Sequence, residues 1–170
     1  MTGGIALLLA ATAAGPSIRD LSWMIGDWTF HDVATEAAGH KYEERGTRSC
    51  AWAMRDQYVR CESQGGTAAR PRTYVTYVNY NAPQKRFEML SMWSNHPPKV
   101  TQYGQLVDGE LRFVSAAAET GDDGIAKHSW ARMRPEGKAG WVWDSGTRPV
   151  GATDDGPVRY RDIAIRQPPR

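Results

Sequence analysis

From Trp28 to Arg166 the apolar residues recur at every second position, and no long helical period interrupts them. Ten runs carry the alternation: Trp28–Ala34, Lys41–Ala53, Tyr58–Gln64, Arg72–Tyr80, Arg86–Ser94, Val100–Leu106, Leu111–Ala117, Lys127–Arg134, Gly140–Asp144 and Val158–Arg166. Turn formers separate them: Gly65-Gly66, Asn81-Ala82-Pro83, His96-Pro97-Pro98, Asp108-Gly109, Gly121 to Gly124, Pro135-Glu136-Gly137 and Asp154-Asp155-Gly156. Connections this short make an antiparallel sheet. A sheet of that many strands in 170 residues must fold over or close, because free edges recruit further strands. The expected fold is all-β: a single antiparallel up-and-down barrel of about ten strands, with a sandwich as the alternative. Ser17 caps a short N-terminal helical turn through Ile18, Leu21 and Met24.

The alternation also assigns faces. Glu88 marks the wet side of its strand, which sends Phe87, Met89, Ser91 and Trp93 inward. Around the Asp108-Gly109 turn, a type I′ signal, Leu106, Leu111 and Phe113 align on one face. If Ala53 pairs with Tyr58, then Trp52 faces Val59 and Cys50 faces Cys61. Opposed residues bring their Cβ atoms to roughly 4.5–5.5 Å, close to disulfide reach. A Cys50–Cys61 disulfide is expected, with two buried free thiols as the alternative. No C-x-x-C motif makes either cysteine catalytic.

The apolar run Ile5–Ala14 is too short to span a bilayer but suits the apolar region of a signal peptide. Ala11-Thr12-Ala13 supplies a small-x-small cleavage site, although no Lys or Arg precedes the run. Residues 1–16 are therefore expected to be a signal peptide and 17–170 the barrel domain, exported to a periplasm or secreted. An apolar arm packed on the domain is the alternative. No integral membrane segment is expected in the mature chain. A net charge of +2, with basic residues scattered along the chain, argues against a nucleic-acid partner.

Seven tryptophans and seven tyrosines stand against three phenylalanines. Such residues offer apolar area with a polar handle and suit a pocket for an amphipathic molecule. Met89, Trp93, Trp130 and Trp143 sit mid-strand on inward faces and are the expected ligand-binding residues. His128 and Arg132 share a face with Trp130. If that face is inward they can bind a carboxylate, or His128 can act as a base; if outward they are solvated. His31, His40, His96 and His128 have no metal-ligand spacing, so no metal site is expected. There is no phosphate-binding or nucleophile motif, no catalytic constellation and no motif calling for a cofactor. Adjacent acid pairs such as Glu43-Glu44 point to opposite faces of a strand and make no acid/base pair.

Gly26-Asp27-Trp28 after a short turn, with Tyr160-Arg161 in the last strand, resembles the calycin superfamily of lipocalin-like barrels. The resemblance implies that a basic residue of the final strand packs across the first-strand tryptophan and closes the barrel's end. Gly26 and Trp28 are then structural, with Arg161 as the basic residue and Arg159 as the alternative. Val78 to Pro83, Arg86-Phe87 to Trp93, Tyr103-Gly104 and Asp108-Gly109 resemble bacterial lipocalin-like domains of unknown function. The haem-binding nitrobindins are a related pattern, but Thr29–Val33 lacks their glycine-rich first strand.

The resulting expectation is an exported barrel that binds a small apolar or amphipathic ligand. Its alternatives are a cavity enzyme of isomerase or lyase type using His128, a nitrobindin-like haem binder, and a filled barrel serving as an interaction module.

Overall fold

The computed structural model describes residues 15–35, 39, 41–137 and 139–168. The leader run Ile5–Ala14 and His40 lie outside the described residues, as does the His96 side chain. A 3₁₀ turn, Ile18–Met24, precedes β1 Gly26–Thr35, β2 Lys41–Ala53, β3 Tyr58–Thr67, β4 Arg70–Asn81, β5 Arg86–Trp93 and β6 His96–Val107. β7 Glu110–Ser115, β8 Glu119–Thr120, β9 Ala126–Glu136, β10 Gly140–Pro149 and β11 Tyr160–Arg166 complete the sheet. Each strand pairs antiparallel with the next through β7, which pairs with β9. β9 pairs with β10, β10 with β11, and β11 with β1. That ring is a closed ten-stranded antiparallel barrel, and β8 is an extra strand on the edge of β9. No described helix is long and apolar enough to cross a membrane.

Turn chemistry sets the register. Asp108 and Gly109 have φ of 53° and 77°, as a type I′ hairpin requires, and Leu106 faces Leu111 across it. In the cysteine hairpin Ala53 pairs with Tyr58, Trp52 with Val59 and Cys50 with Cys61, and the two cysteines are disulfide-bonded. Phe87, Met89 and Ser91 are buried on the inward face of β5, as Glu88 implies.

One end of the barrel is sealed. Leu21 and Met24 of the 3₁₀ turn drop onto Trp28, Val59, Val78, Phe87, Leu111 and Met133. Trp28 donates its indole N–H to the Met24 carbonyl at 2.9 Å, and its ring meets Trp141 edge-on. Gly26 lets β1 start beside this plug: its φ is +139°, and a Cβ there would sit 2.3 Å from Arg166 Nη1.

The last strand corrects one expectation. The cation over Trp28 is Arg166, whose guanidinium carbon lies 4.2 Å from the ring centroid and which donates to the Ile25 carbonyl at 3.0 Å. The cause is register: Trp28 pairs with Arg166, the final residue of β11, while Val33 pairs with Arg161 nearer the other end. Arg161 shares its face with Ile163 and Ile165, which are exposed because that face is the outside of the barrel. There Arg161 grips Asp144 through bonds of 2.6 and 2.9 Å.

Two outcomes follow. Trp28→Ala should cost about 3–5 kcal/mol in urea unfolding through the cavity it leaves, and Arg166→Ala roughly 0.5–1 kcal/mol through loss of an exposed cation–π contact. An Arg166→Ala variant as stable as the parent would contradict the assignment. Intact protein should resist thiol alkylation until reduced, and Cys50→Ser should lower stability by on the order of 2–3 kcal/mol through the lost loop constraint.

Candidate functional site

The plug fills only the sealed half of the barrel. Above it, toward the end where β1 meets β2 and β10 meets β11, a cavity of about 490 Å³ remains. Met24, Cys61, Met133 and Trp141 are its deepest apolar wall, and Tyr42, Tyr74, Trp93 and Asn95 stand toward the mouth.

Between these levels the wall is charged. Alternation along β1 turns Trp28, Phe30, Asp32 and Ala34 inward, and along β2 it turns Glu44, Arg48 and Cys50 inward. On β11 the inward residues are Tyr160, Asp162 and Ala164, which meet Ala34, Asp32 and Phe30 across the closing seam. Asp32 and Asp162 therefore face each other directly inside the barrel. Arg48 is 7% exposed and Asp162 0% exposed, and the two form a buried ion pair. Arg48 also donates from Nε to Ser63 Oγ at 2.9 Å and stacks over Phe30 and Trp141, its guanidinium carbon 5.0 and 4.8 Å from their centroids. Tyr160 donates its hydroxyl to Asp32 Oδ2 at 2.5 Å.

One cation cannot neutralise two buried carboxylates. Burial first, and then the negative charge of Asp162, push the Asp32 carboxyl up to about 8, against the opposing pull of Tyr160 and Arg48. Asp32 is thus largely protonated at neutral pH, directly across the seam from Asp162. Burial alone would lower the Arg48 pKa, but attraction to Asp162 outweighs it and raises it further. Burial and both aspartates drive the Tyr160 pKa well above that of an ordinary tyrosine, so its hydroxyl keeps its proton.

A second polar knot lies nearer the mouth. The buried Glu44 carboxylate accepts from Gly66 N at 2.6 Å, from the Tyr74 hydroxyl at 3.0 Å and from Arg72 Nη1 at 3.2 Å. Burial raises the Tyr74 pKa, so its hydroxyl remains a donor there.

The structure separates the residues expected from sequence. Trp93 and Trp143 line the cavity. Trp130 borders it, but its ring lies over Gly146 on the outer wall, with the Arg132 guanidinium 5.4 Å from its centroid. Met89 is sealed in the core below, away from the cavity wall. His128 and Arg132 take the outward alternative, since β9 turns Ala131 and Met133 inward and they occupy the opposite parity. His128 Nδ1 lies 3.0 Å from the Ser115 carbonyl oxygen. Arg132 clamps Asp155 at 2.5 and 2.7 Å, and Arg148 holds the other oxygen of that carboxylate. These bonds fasten the β10–β11 connection over Trp130. His31 also points outward, to Glu43 at 2.9 Å, so neither His31 nor His128 reaches the cavity. Among the described residues there is no cluster of three or more metal-ligating side chains.

Sequence reasoning missed Asp32, Glu44, Arg48, Tyr160 and Asp162. The available signal was Trp28-x-Phe30-x-Asp32-x-Ala34, whose own period turns the acid inward. The companion signal, Tyr160-x-Asp162-x-Ala164, was masked by Ile163 and Ile165.

No family model matches this chain, and no curated protein matches it in sequence. Solved structures do share its fold. The S-type phycobiliprotein lyase CPES from Guillardia theta superposes with a TM-score of 0.59 at 12% identity, covering 91% of this chain and 95% of its own. Rv2717c from M. tuberculosis superposes with a TM-score of 0.59 at 14% identity, covering 91% of this chain and 99% of its own. At these identities the likeness carries the barrel fold, which the chain shares with both structures.

The shared proton has a measurable consequence. An unfolded aspartate titrates near its ordinary value of about 3.9, whereas folded Asp32 titrates near 8. Between those values the folded chain holds a proton that the unfolded chain has lost. Stability should therefore fall as pH rises from about 4 to 8, by at most ~1.4 kcal/mol per pH unit for one proton, and level off above. Asp144 acts oppositely: burial raises its pKa, but hydrogen bonds from Arg161 and Arg134 outweigh that and hold it low. Its contribution is present above the ordinary carboxylate pKa and is lost as pH falls through the folded value. Urea unfolding across this range should show Asp32→Asn removing the decline toward pH 8 while leaving the acid limb. An unchanged slope in that variant would refute the raised pKa.

Proposed function

We propose that this protein is an exported lipocalin-like carrier that holds a small amphipathic molecule inside its barrel. The observation that carries the reading is the cavity itself: about 490 Å³, open at one end, walled by tryptophan and tyrosine, with a polar cluster at one level. Ligand pockets occupy roughly 300–1,000 Å³ and combine apolar walls with a few fixed polar groups. The leader run and the Cys50–Cys61 bond support export, because disulfides persist in oxidising compartments.

A cavity enzyme of isomerase or lyase type is the second reading. The observation favouring it is the Asp32–Asp162 pair, since an acid kept protonated near neutral pH can deliver a proton. His128 is not the group for that role. The Guillardia protein is called a lyase, but an identity of 12% carries its fold to this chain and not its reaction.

Titration with a hydrophobic fluorophore should saturate at one molecule per chain and shift the tryptophan emission. Trp93→Ala should weaken binding by about fivefold or more without changing the unfolding midpoint appreciably. Recovery of the probe unaltered after denaturation supports the carrier; a chemically changed probe supports the enzyme. A barrel that takes up none of several chemically distinct probes overturns both.

A further inference from the structure

We infer that the cavity is built for an uncharged ligand that offers a carbonyl oxygen to Arg48, Trp141 and Trp143. This deepens the carrier reading and rests on it.

Arg48 Nη1, Trp141 Nε1 and Trp143 Nε1 are buried N–H groups without a partner, and all three residues line the cavity. Their placement is concerted. Trp141 and Trp143 lie two apart on the inward face of β10, the Arg48 guanidinium stacks 4.8 Å from the Trp141 centroid, and Asp162, which Arg48 holds, pairs with Trp143 across the strands. The unmet acceptors in the same cluster are Asp32 Oδ1 and Asp162 Oδ1. Those two carboxyls face each other across the β1–β11 seam, and a proton held between them gives both a partner. What remains unmatched on this wall is a set of donors, and buried polar groups are rarely left unpaired. The missing complement is an acceptor atom.

The charge balance of the cavity separates a carbonyl from a carboxylate. The single positive charge of Arg48 is already matched by Asp162, and the proton between the aspartates removes the second negative charge. The cluster is therefore neutral. Arg72 is likewise matched by Glu44, and the exposed carboxylate of Glu119 adds negative charge at the cavity wall. An anionic ligand would bury a charge with no unmatched cation among the described residues that line the cavity, which is heavily penalised. A ketone, quinone, ester or lactam oxygen accepts the same N–H groups and adds no charge.

Three naphthalene probes of one skeleton test this near neutral pH: prodan, a neutral propionyl ketone; the matching dimethylaminonaphthoate, an anion; and dimethylaminonaphthalene, which has no carbonyl. The expected result is that prodan binds roughly tenfold tighter than either. Trp143→Phe keeps an aromatic side chain but removes the N–H together with part of the indole, and the hydrocarbon probe reads the lost apolar contact separately. The variant should weaken prodan roughly threefold more than it weakens the hydrocarbon probe, and shift bound prodan emission to the blue as the carbonyl loses a donor. Should that variant fail to fold, the ranking of the three probes on the parent protein decides alone. A naphthoate that binds as well as prodan, a hydrocarbon that does so, or prodan binding indifferent to Trp143→Phe overturns the inference while leaving the carrier reading intact. If none of the three binds, the carrier reading falls with it.

Discussion

The pairing of β1 with β11 is the contact on which the rest depends. It joins residues about 130 apart in the chain (Trp28 with Arg166, Asp32 with Asp162, Ala34 with Tyr160) and turns a meander into a closed wall. Closure removes the open edges that a sheet of this size would otherwise expose. It also fixes what faces inward at the seam. The register that places Arg166 over the Trp28 plug at one end necessarily sets two aspartates against each other farther along. Like charges directly opposite destabilise a sheet, so closure requires a compensating group, and Arg48 of β2 with a retained proton supplies it. The seam and the electrostatics of the cavity share one origin.

The interior is divided as a result. Below the aspartates, leucine, methionine, phenylalanine and tryptophan fill the space to the plug. Above them the barrel stays open, because polar side chains held in bonds along its wall cannot collapse onto one another. Arg48 is anchored by Asp162, Ser63 and two aromatic rings, and Glu44 by a backbone amide, a tyrosine and an arginine. Fixed polar groups in a dry wall are pre-organised for a ligand. That is also why their unpaired N–H groups inform about its chemistry.

Much of the architecture was legible in the chain because strand alternation and turn residues are local. The cysteine hairpin register followed from counting outward from its turn, and Glu88 oriented β5. The two-residue β8 had no local signature, and two of the expected turns, Gly65-Gly66 and His96 to Pro98, lie inside β3 and β6 instead. The site was harder, for a physical reason. Face assignment treats charge as a sign of solvent and aliphatic residues as a sign of core, and β11 reverses both. Ile163 and Ile165 sit outside while Asp162 is buried, an arrangement stabilised by partners on strands far away in sequence. For the same reason Arg161 stood in for Arg166. On β9, Trp130 is buried but on the outer wall, covered by the connection that Arg132 and Asp155 fasten, so burial did not mean inward.

The neutrality of the cluster depends on a carboxyl that stays protonated inside the barrel. Infrared difference spectroscopy of the folded protein reads this directly through the carbonyl stretch of a protonated acid. The account predicts such a band at neutral pH that fades as the pH rises through about 8 and is missing in both Asp32→Asn and Asp162→Asn. A spectrum showing only ionised carboxylates at neutral pH would contradict the shared proton, and with it the neutral cluster from which the ligand's character was drawn.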